Sequence, residues 1–313
     1  MDQRMKYIFA GLFLLVLVIT IVFLNPHVLK LEAGDSRRQF NEHPIVPKAF
    51  LIKEVEIQSN QADPNSMYRG NAQRTGVYHA ALPYHMLRRT WRIDPFNHDY
   101  HGASKSTPVN DGKNIYVGED YGVMRAIDFE GNIQWEYASN ADRGIHGTAL
   151  VVDDTVFWGD YQGVLYAVDK HMGKLQWQLH LGETIGASPL YMDKAIYISV
   201  ETFYRPNGFV AKVNARNGQV IWLSSYLGAQ AHSSPTMSED KSTIYVGSNN
   251  GYLTALNSDT GEVKWRFQTG AAIKGTPAVY GGAVYFCSWD SFMYKISSEG
   301  KQIWSSALGS GCQ

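Results

Sequence analysis

The sequence predicts an all-β fold, a β-propeller of four-stranded blades preceded by one N-terminal transmembrane helix, and three observations predict it. Six tryptophans stand at 91, 135, 177, 222, 265 and 304, so the chain repeats itself every 39 to 45 residues. Each repeat holds short apolar runs with the two-residue alternation of strands, and the 3.6-residue period of a helical solenoid is absent. Ahead of the repeats, the segment Tyr7 to Leu24 carries no charged residue.

Composition agrees with such a fold. A chain of 313 residues, 44% hydrophobic and 13% aromatic, can bury a large core, which excludes disorder for most of its length. Lys and Arg number 28 against 29 Asp and Glu, a net charge of -1. That balance exerts no pull on nucleic acid, and no nucleic-acid partner is expected. The two cysteines, Cys287 and Cys312, are too few for a disulfide scaffold and lack the paired spacing of a zinc or c-haem site.

The elements follow in order. Residues 1–25 read as a cytoplasmic tip and membrane anchor. The apolar run just crosses a hydrocarbon core, exceeds a signal-peptide h-region and is followed by no small-x-small cleavage site. Arg4 and Lys6 keep the tip in the cytoplasm, so the remainder is expected outside it, on the periplasmic side of the inner membrane. No cysteine follows the run to carry a lipid. Residues 26–65, polar and holding Pro44, Pro47 and Pro64, read as an extracytoplasmic linker with one candidate strand, Phe50 to Ile57.

Residues 66–313 are the repeat domain, with blades starting near 107, 148, 188, 234 and 276. A hydroxyl residue and proline open most units (Thr107-Pro108, Ser188-Pro189, Ser234-Pro235, Thr276-Pro277), with Thr148-Ala149 the exception. Proline cannot donate to a ladder and suits the start of an innermost strand. Apolar runs such as Ile115-Tyr116-Val117 and Ile244-Tyr245-Val246 follow as strands buried on both faces. A turn then carries Gly122, Gly163, Gly208 or Gly251, with Ser291 in the fifth unit. The third strand ends in Asp128, Asp169, Asn214, Asn257 or Ser297, and the next turn closes with Gly131, Gly173, Gly218, Gly261 or Gly300, always four residues before a tryptophan. The fourth strand alternates, as in Val263, Trp265 and Phe267, and is half-buried. From Trp304 the same spacing points past Gln313. Five complete blades are therefore expected in an incomplete ring, its sixth position empty or filled by Phe50 to Ile57 and the Trp91 strand.

These repeats resemble the quinoprotein-like family, whose members carry pyrroloquinoline-quinone-binding-like repeats. The marks are the Ser/Thr-Pro start, the Gly-x3-Trp end, and the segment Met67 to Tyr78 (MYRGNAQRTGVY), similar to that family's opening. The resemblance covers residue 67 onward. It implies that the strand around Trp91 completes a last blade. The family divides into quinone-dependent dehydrogenases and non-enzymatic propellers, among them the periplasmic propeller of the outer-membrane β-barrel assembly machinery. Fold alone does not choose between them.

The chemistry points to binding. A quinone dehydrogenase of this family would carry an adjacent cysteine pair, and Cys287 stands instead where Gly118, Gly159, Ser199 and Gly247 stand, as a small core residue, while Cys312 lies in a connecting loop, free or paired with Cys287 if blade geometry brings the two together. Asn97 to His101 has ligand-capable side chains, yet a solvated loop is the plainer reading, and no metal is expected. No phosphate loop, His-Glu-x2-His or Gly-x-Ser-x-Gly is present. In an up-and-down blade, the inter-blade loops and the second-to-third-strand loops share one face. Lys105, His146, Gly186, His232 and Lys274, two residues before each blade opening, are expected to ring the channel mouth. Glu119, Asp120, Asp160, Tyr161, Asn249, Asn250, Trp289 and Asp290 join them, with Tyr204 and Arg205 from an elongated loop, 201–208. Ordinary loop polarity explains such residues as well. The functional expectation is a recognition face for an envelope protein or peptide segment, or an anionic ligand. No cofactor is expected; the alternative, implied by the resemblance, is a dehydrogenase using pyrroloquinoline quinone with calcium.

Overall fold

The computed structural model describes residues 43–78, 89–93, 105–139, 144–203 and 206–311. After a short strand β1 (Phe50–Leu51), twenty strands form five antiparallel meanders. Blade one is β2 (Val109–Asn110), β3 (Asn114–Gly118), β4 (Val123–Asp128) and β5 (Ile133–Ala138). Blade two is β6 (Leu150–Val152), β7 (Thr155–Gly159), β8 (Val164–Asp169) and β9 (Leu175–His180). Blade three is β10 (Leu190–Met192), β11 (Ala195–Thr202), β12 (Asn207–Asn214) and β13 (Val220–Leu223). Blade four is β14 (Thr236–Met237), β15 (Thr243–Gly247), β16 (Tyr252–Asn257) and β17 (Val263–Gln268). Blade five is β18 (Ala278–Tyr280), β19 (Ala283–Cys287), β20 (Phe292–Ser297) and β21 (Gln302–Ala307). Each blade is bulged at the same point between its third and fourth strands, as between Ala126 and Ile127 or Ala255 and Leu256, which adds to the twist a blade needs.

The core lies between blades rather than within one. One apolar layer joins Phe157 and Trp177 of blade two to Ile196 and Phe209 of blade three, and similar layers join the other neighbours. The tryptophan repeat has its cause here. Each of five indoles, four of them from outer strands, lies beneath the third turn of the next blade and donates Nε1–H to a carbonyl there: Trp91 to Phe129 (2.8 Å), Trp135 to Lys170 (2.7 Å), Trp177 to Ala215 (3.1 Å), Trp222 to Ser258 (3.1 Å) and Trp265 to Ser298 (2.8 Å). The turn glycines have positive φ, and a Cβ on them would fall 2.6–2.9 Å from a neighbouring atom, an indole carbon in each of the five except that Ala49 also crowds Gly218. Gly-x3-Trp is thus one blade's floor joined to the next blade's dock. Trp304 is 38% exposed, and its strand β21 is exposed throughout.

The opening hydroxyls bond in sequence around the axis. The backbone N–H of Thr107 donates to Thr148 Oγ1 (3.2 Å), that of Thr148 to Ser188 Oγ (2.9 Å), that of Ser188 to Ser234 Oγ (2.9 Å), and that of Ser234 to Thr276 Oγ1 (3.3 Å). A side-chain acceptor is needed at each unit start, which is why Ser or Thr recurs there.

Several expectations are corrected. The candidate strand Phe50 to Ile57 shrinks to two paired residues, and they add to the outer edge of blade two, Phe50 opposite Gln178 and Leu51 opposite Trp177, not to a sixth position. Residues 89–93 form no strand, although Trp91 docks on blade one. The stretch from residue 43 to 65 is not a free tether. Val55 is 1% exposed within the layer of blades two and three, and Asp153 accepts from the N–H groups of Gln58 (2.7 Å) and Ser59 (3.0 Å). Gly208 lies inside β12 because β11 runs to Thr202, so the loop 201–208 is a long hairpin. Cys287 is disulfide-bonded rather than a plain small core residue; Cys312 lies outside the described residues, as does Tyr7 to Leu24. Among the described residues no helix is long and apolar enough to cross a membrane.

Candidate functional site

The segment that opens the repeat domain builds the site's floor. From Ser66 to Gly76 the chain runs along the propeller axis and bonds to the inner strand or opening of four blades. Ser66 Oγ donates to Val151 O (2.8 Å), Met237 N to Ala72 O (2.9 Å), Val279 N to Gln73 O (2.9 Å), and Arg69 Nη1 to Thr276 O (3.1 Å). Arg74 is wholly buried. Its guanidinium donates to the carbonyls of Tyr68, Ser188, Pro189 and Pro235 at 2.5–3.3 Å. Burial lowers its pKa to about 9, partly offset by Tyr68, so it remains a cation at neutral pH, held by carbonyl dipoles.

Above this floor opens a cavity of about 460 Å3, lined by Lys105, His146, Gly186, His232 and Lys274 from the inter-blade loops, the opening hydroxyls, Tyr161, and Tyr68 and Arg69 from the floor. The residues expected at the channel mouth stand together. Tyr68, Arg69 and Arg74 are not marked as site residues by the sequence pattern, which gives Met67 to Tyr78 only as the opening of the repeat domain; two arginines in a segment with Gly70 and Gly76 are the available signal. Among the described residues no Asp or Glu lines the cavity, and three fixed cations and two imidazoles do.

The loop residues divide by their position in the repeat. At the first loop position, Glu119, Asp160, Ser248 and Ser288 turn inward. Glu119 is ion-paired to Arg125 at 2.5 Å, and Asp160 accepts from Gln162 N, Val164 N and Tyr166 Oη at 2.9–3.1 Å. Burial raises the pKa of Asp160 despite these bonds. At the second position, Tyr161, Asn249 and Trp289 each donate a backbone N–H to the preceding inter-blade loop, at Gly144, Gln230 and Ala272 (2.9–3.1 Å). This register carries the second side chain toward the mouth. Lys274 Nζ lies 3.9 Å from the Trp289 ring centroid, and the Tyr161 ring packs tilted against His146, centroids 4.0 Å apart. Asp290, at the third position, caps its turn through Gly270 N, Phe292 N and Tyr294 Oη; burial works to raise its pKa, but these bonds hold it below the ordinary carboxylate value.

Two imidazoles are backed by buried carboxylates. His146 Nε2 is 3.0 Å from Asp120 Oδ1, and His232 Nδ1 is 2.8 Å from Glu201 Oε1, with Asp120 and Glu201 side chains 1% and 0% exposed. Glu201 reaches this point because β11 is eight residues long where its counterparts have five. Tyr161 has its pKa pushed up to about 12, by burial first and then by Glu201 and Asp120. Tyr204, Arg205 and Asn97 to His101 lie outside the described residues.

Residues 88–229 and 206–313 match the family described as outer membrane protein assembly factor BamB. The outer membrane protein assembly factor BamB of Moranella endobia is 28% identical over 189 residues, 57% of this chain and 46% of the relative. The dehydrogenase subunit of the quinone alcohol dehydrogenase of Komagataeibacter europaeus is 24% identical over 174 residues, 47% of this chain and 23% of the relative. The crystal structure of BamB from Moraxella catarrhalis has a TM-score of 0.54 at 20% identity, over 65% of this chain and 64% of that one, a likeness of fold. The chain spans about half the length of the curated relatives it matches.

Proposed function

The chain belongs to the family of the outer membrane protein assembly factor BamB, and from that premise we propose that it is a membrane-anchored, extracytoplasmic scaffold that binds another envelope protein through the channel-mouth face, in outer-membrane protein assembly. The observation that carries this reading is the convergence of Lys105, His146, His232, Lys274 and Arg69 on one open mouth, with aromatic side chains at its rim, the composition of a recognition surface. The disulfide at Cys287 suits an oxidising, extracytoplasmic compartment.

A quinone dehydrogenase is the second reading, favoured by the K. europaeus relative. The donor set argues against calcium with the quinone at this mouth. Calcium takes six to eight oxygen ligands, whereas Asp120 and Glu201 face imidazoles. Among the described residues no group of three or more His, Cys, Asp and Glu could hold a metal, and the cationic lining opposes a divalent ion.

The test is affinity capture from envelope membranes with the anchored protein. Charge reversal at Lys105 and Lys274 should weaken the captured partner far more than reversal at Glu239 and Lys241, which lie on the first-to-second-strand turn of blade four. Equal losses would remove the face assignment. A reporter active only outside the cytoplasm, fused after Gln313, should be active, and salt should not extract the protein; a shortened, soluble product would rule out the anchor. Dye reduction on adding quinone, calcium and alcohol would transfer support to the dehydrogenase reading.

A further inference from the structure

The cavity at the mouth is blind. The chain from Met67 to Gly76 fills the axis beneath it, with the Arg74 guanidinium bonded across to blades three and four and the Ala72 and Gln73 carbonyls bonded to blades four and five. A partner segment therefore cannot pass along the axis. It must enter and stop, or enter and turn back. About 460 Å3 falls in the range of a small-ligand pocket, roughly 300–1,000 Å3, which suits the end of one chain better than a turn with its two strands.

Among the described residues the charge at the blind end is one-sided. Arg69, Lys105 and Lys274 line it with His146 and His232, and the nearby carboxylates, Asp120 and Glu201, are buried behind the two imidazoles. Each carboxylate is paired with its imidazole, at 3.0 Å for His146 and 2.8 Å for His232, and both imidazoles line the cavity. Lys274 is steadied over Trp289 at 3.9 Å, and Arg69 is fixed by Thr276 O at 3.1 Å. These are preorganised donors for an anionic group with more than one oxygen.

We propose that this cavity takes the free C-terminal end of an acidic peptide segment, its terminal carboxylate seated among Arg69, Lys274 and the two histidines. The inference rests on the reading of this face as a protein-recognition surface. It adds the partner's chemistry: a chain end, not a loop, and an acidic one.

The probe is a fluorescent, N-terminally labelled Asp/Glu-rich octapeptide with a free C-terminus, its affinity measured by anisotropy on the full-length protein, beside the same peptide with a C-terminal amide. Amidation, Lys274→Glu and Lys105→Glu are each expected to weaken binding at least about tenfold, and added salt should weaken the free acid further. Lys301→Glu, in a third-to-fourth-strand turn, should change nothing, and thermal unfolding should show all variants folded. An amide that binds as well as the acid overturns the chain-end claim. Indifference to both reversals, or no binding of the free acid, overturns the site. Photo-crosslinking from position 121, exposed on the same face outside the cavity, separates the two readings. A crosslinked envelope partner in the absence of peptide binding leaves the scaffold standing and removes this site. Peptide binding that depends on Lys274 supports the site, and if no partner crosslinks it is the scaffold reading that falls.

Discussion

Gly261 can be tested as the seat of an indole rather than as a turn residue alone. Gly112 and Gly261 both have positive φ, +83° and +75°, but a Cβ on Gly112 meets nothing within 4 Å while one on Gly261 falls 2.6 Å from Cε3 of Trp222. Gly112→Ala carries only the left-handed backbone cost, about 1–2 kcal/mol, reduced by roughly 0.4–1 kcal/mol through the stiffer unfolded chain. Gly261→Ala adds overpacking, about 1–3 kcal/mol, and displaces Trp222 from its 3.1 Å bond to Ser258 O, about 1 kcal/mol more. The expected losses are then about 1 and about 3–5 kcal/mol, read as urea midpoints followed by tryptophan fluorescence. In a Trp222→Ala background, Gly261→Ala should cost no more than Gly112→Ala, because the obstacle is gone. Losses that agree within about 0.5 kcal/mol in the native background would refute the dock.

Three further outcomes are expected. Arg74→Met strips four carbonyls of their donor and should lower stability by about 3 kcal/mol or more; an unchanged urea midpoint would mean the axial segment is not held through Arg74. Asp240 is held down to about 2 by Ser238 and Ser242, and Asp111, Asp153 and Asp290 are also depressed, each by hydrogen bonds that outweigh burial. Their folded pKa values lie below the unfolded value of about 3.9, so their stabilisation is complete above that pH and is lost as pH falls toward 2; a melting temperature that rises between pH 5 and 3 would contradict this. Reduction of the disulfide at Cys287 should cost about 2–4 kcal/mol, and thiol titration of the unfolded, unreduced protein should find no free thiol at Cys287.

The blade was legible because its causes are local. Gly-x3-Trp can be read from one strand and one turn, and an opening hydroxyl, followed by proline in four of the five units, marks each blade start without reference to its bonding across the axis. The mouth residues were legible for the same reason, since loop order in a meander fixes which loops share a face. Arg74 was not, because its partners at Ser188, Pro189 and Pro235 are distant in sequence and nothing local marks an arginine as buried. The position of Phe50 and Leu51 was equally hidden. Strand propensity announces a strand but not which of several open edges receives it, and the edge of β9 is chosen by contacts such as Val55 and Ser59 make further along.

The loop residues show most plainly what sequence order leaves undecided. Asp120 and Asp160 have the same side chain and lie in corresponding loops, yet they stand at the second and first loop positions. Asp160 is therefore spent on its own turn and on Tyr166, while Asp120 is delivered to His146. The same register makes Glu119 the partner of Arg125 and places Tyr161 and Trp289 at the mouth. A single-residue shift thus separates a group that holds the blade from one that faces a ligand, because successive residues of an extended chain point to opposite sides. Among the described residues, the carboxylates that remain near the mouth, Asp120 and Glu201, are each committed to an imidazole, and the lysines are not. The positive character of the cavity follows from this division of the acids and not from an excess of basic residues, which a chain of net charge -1 does not have.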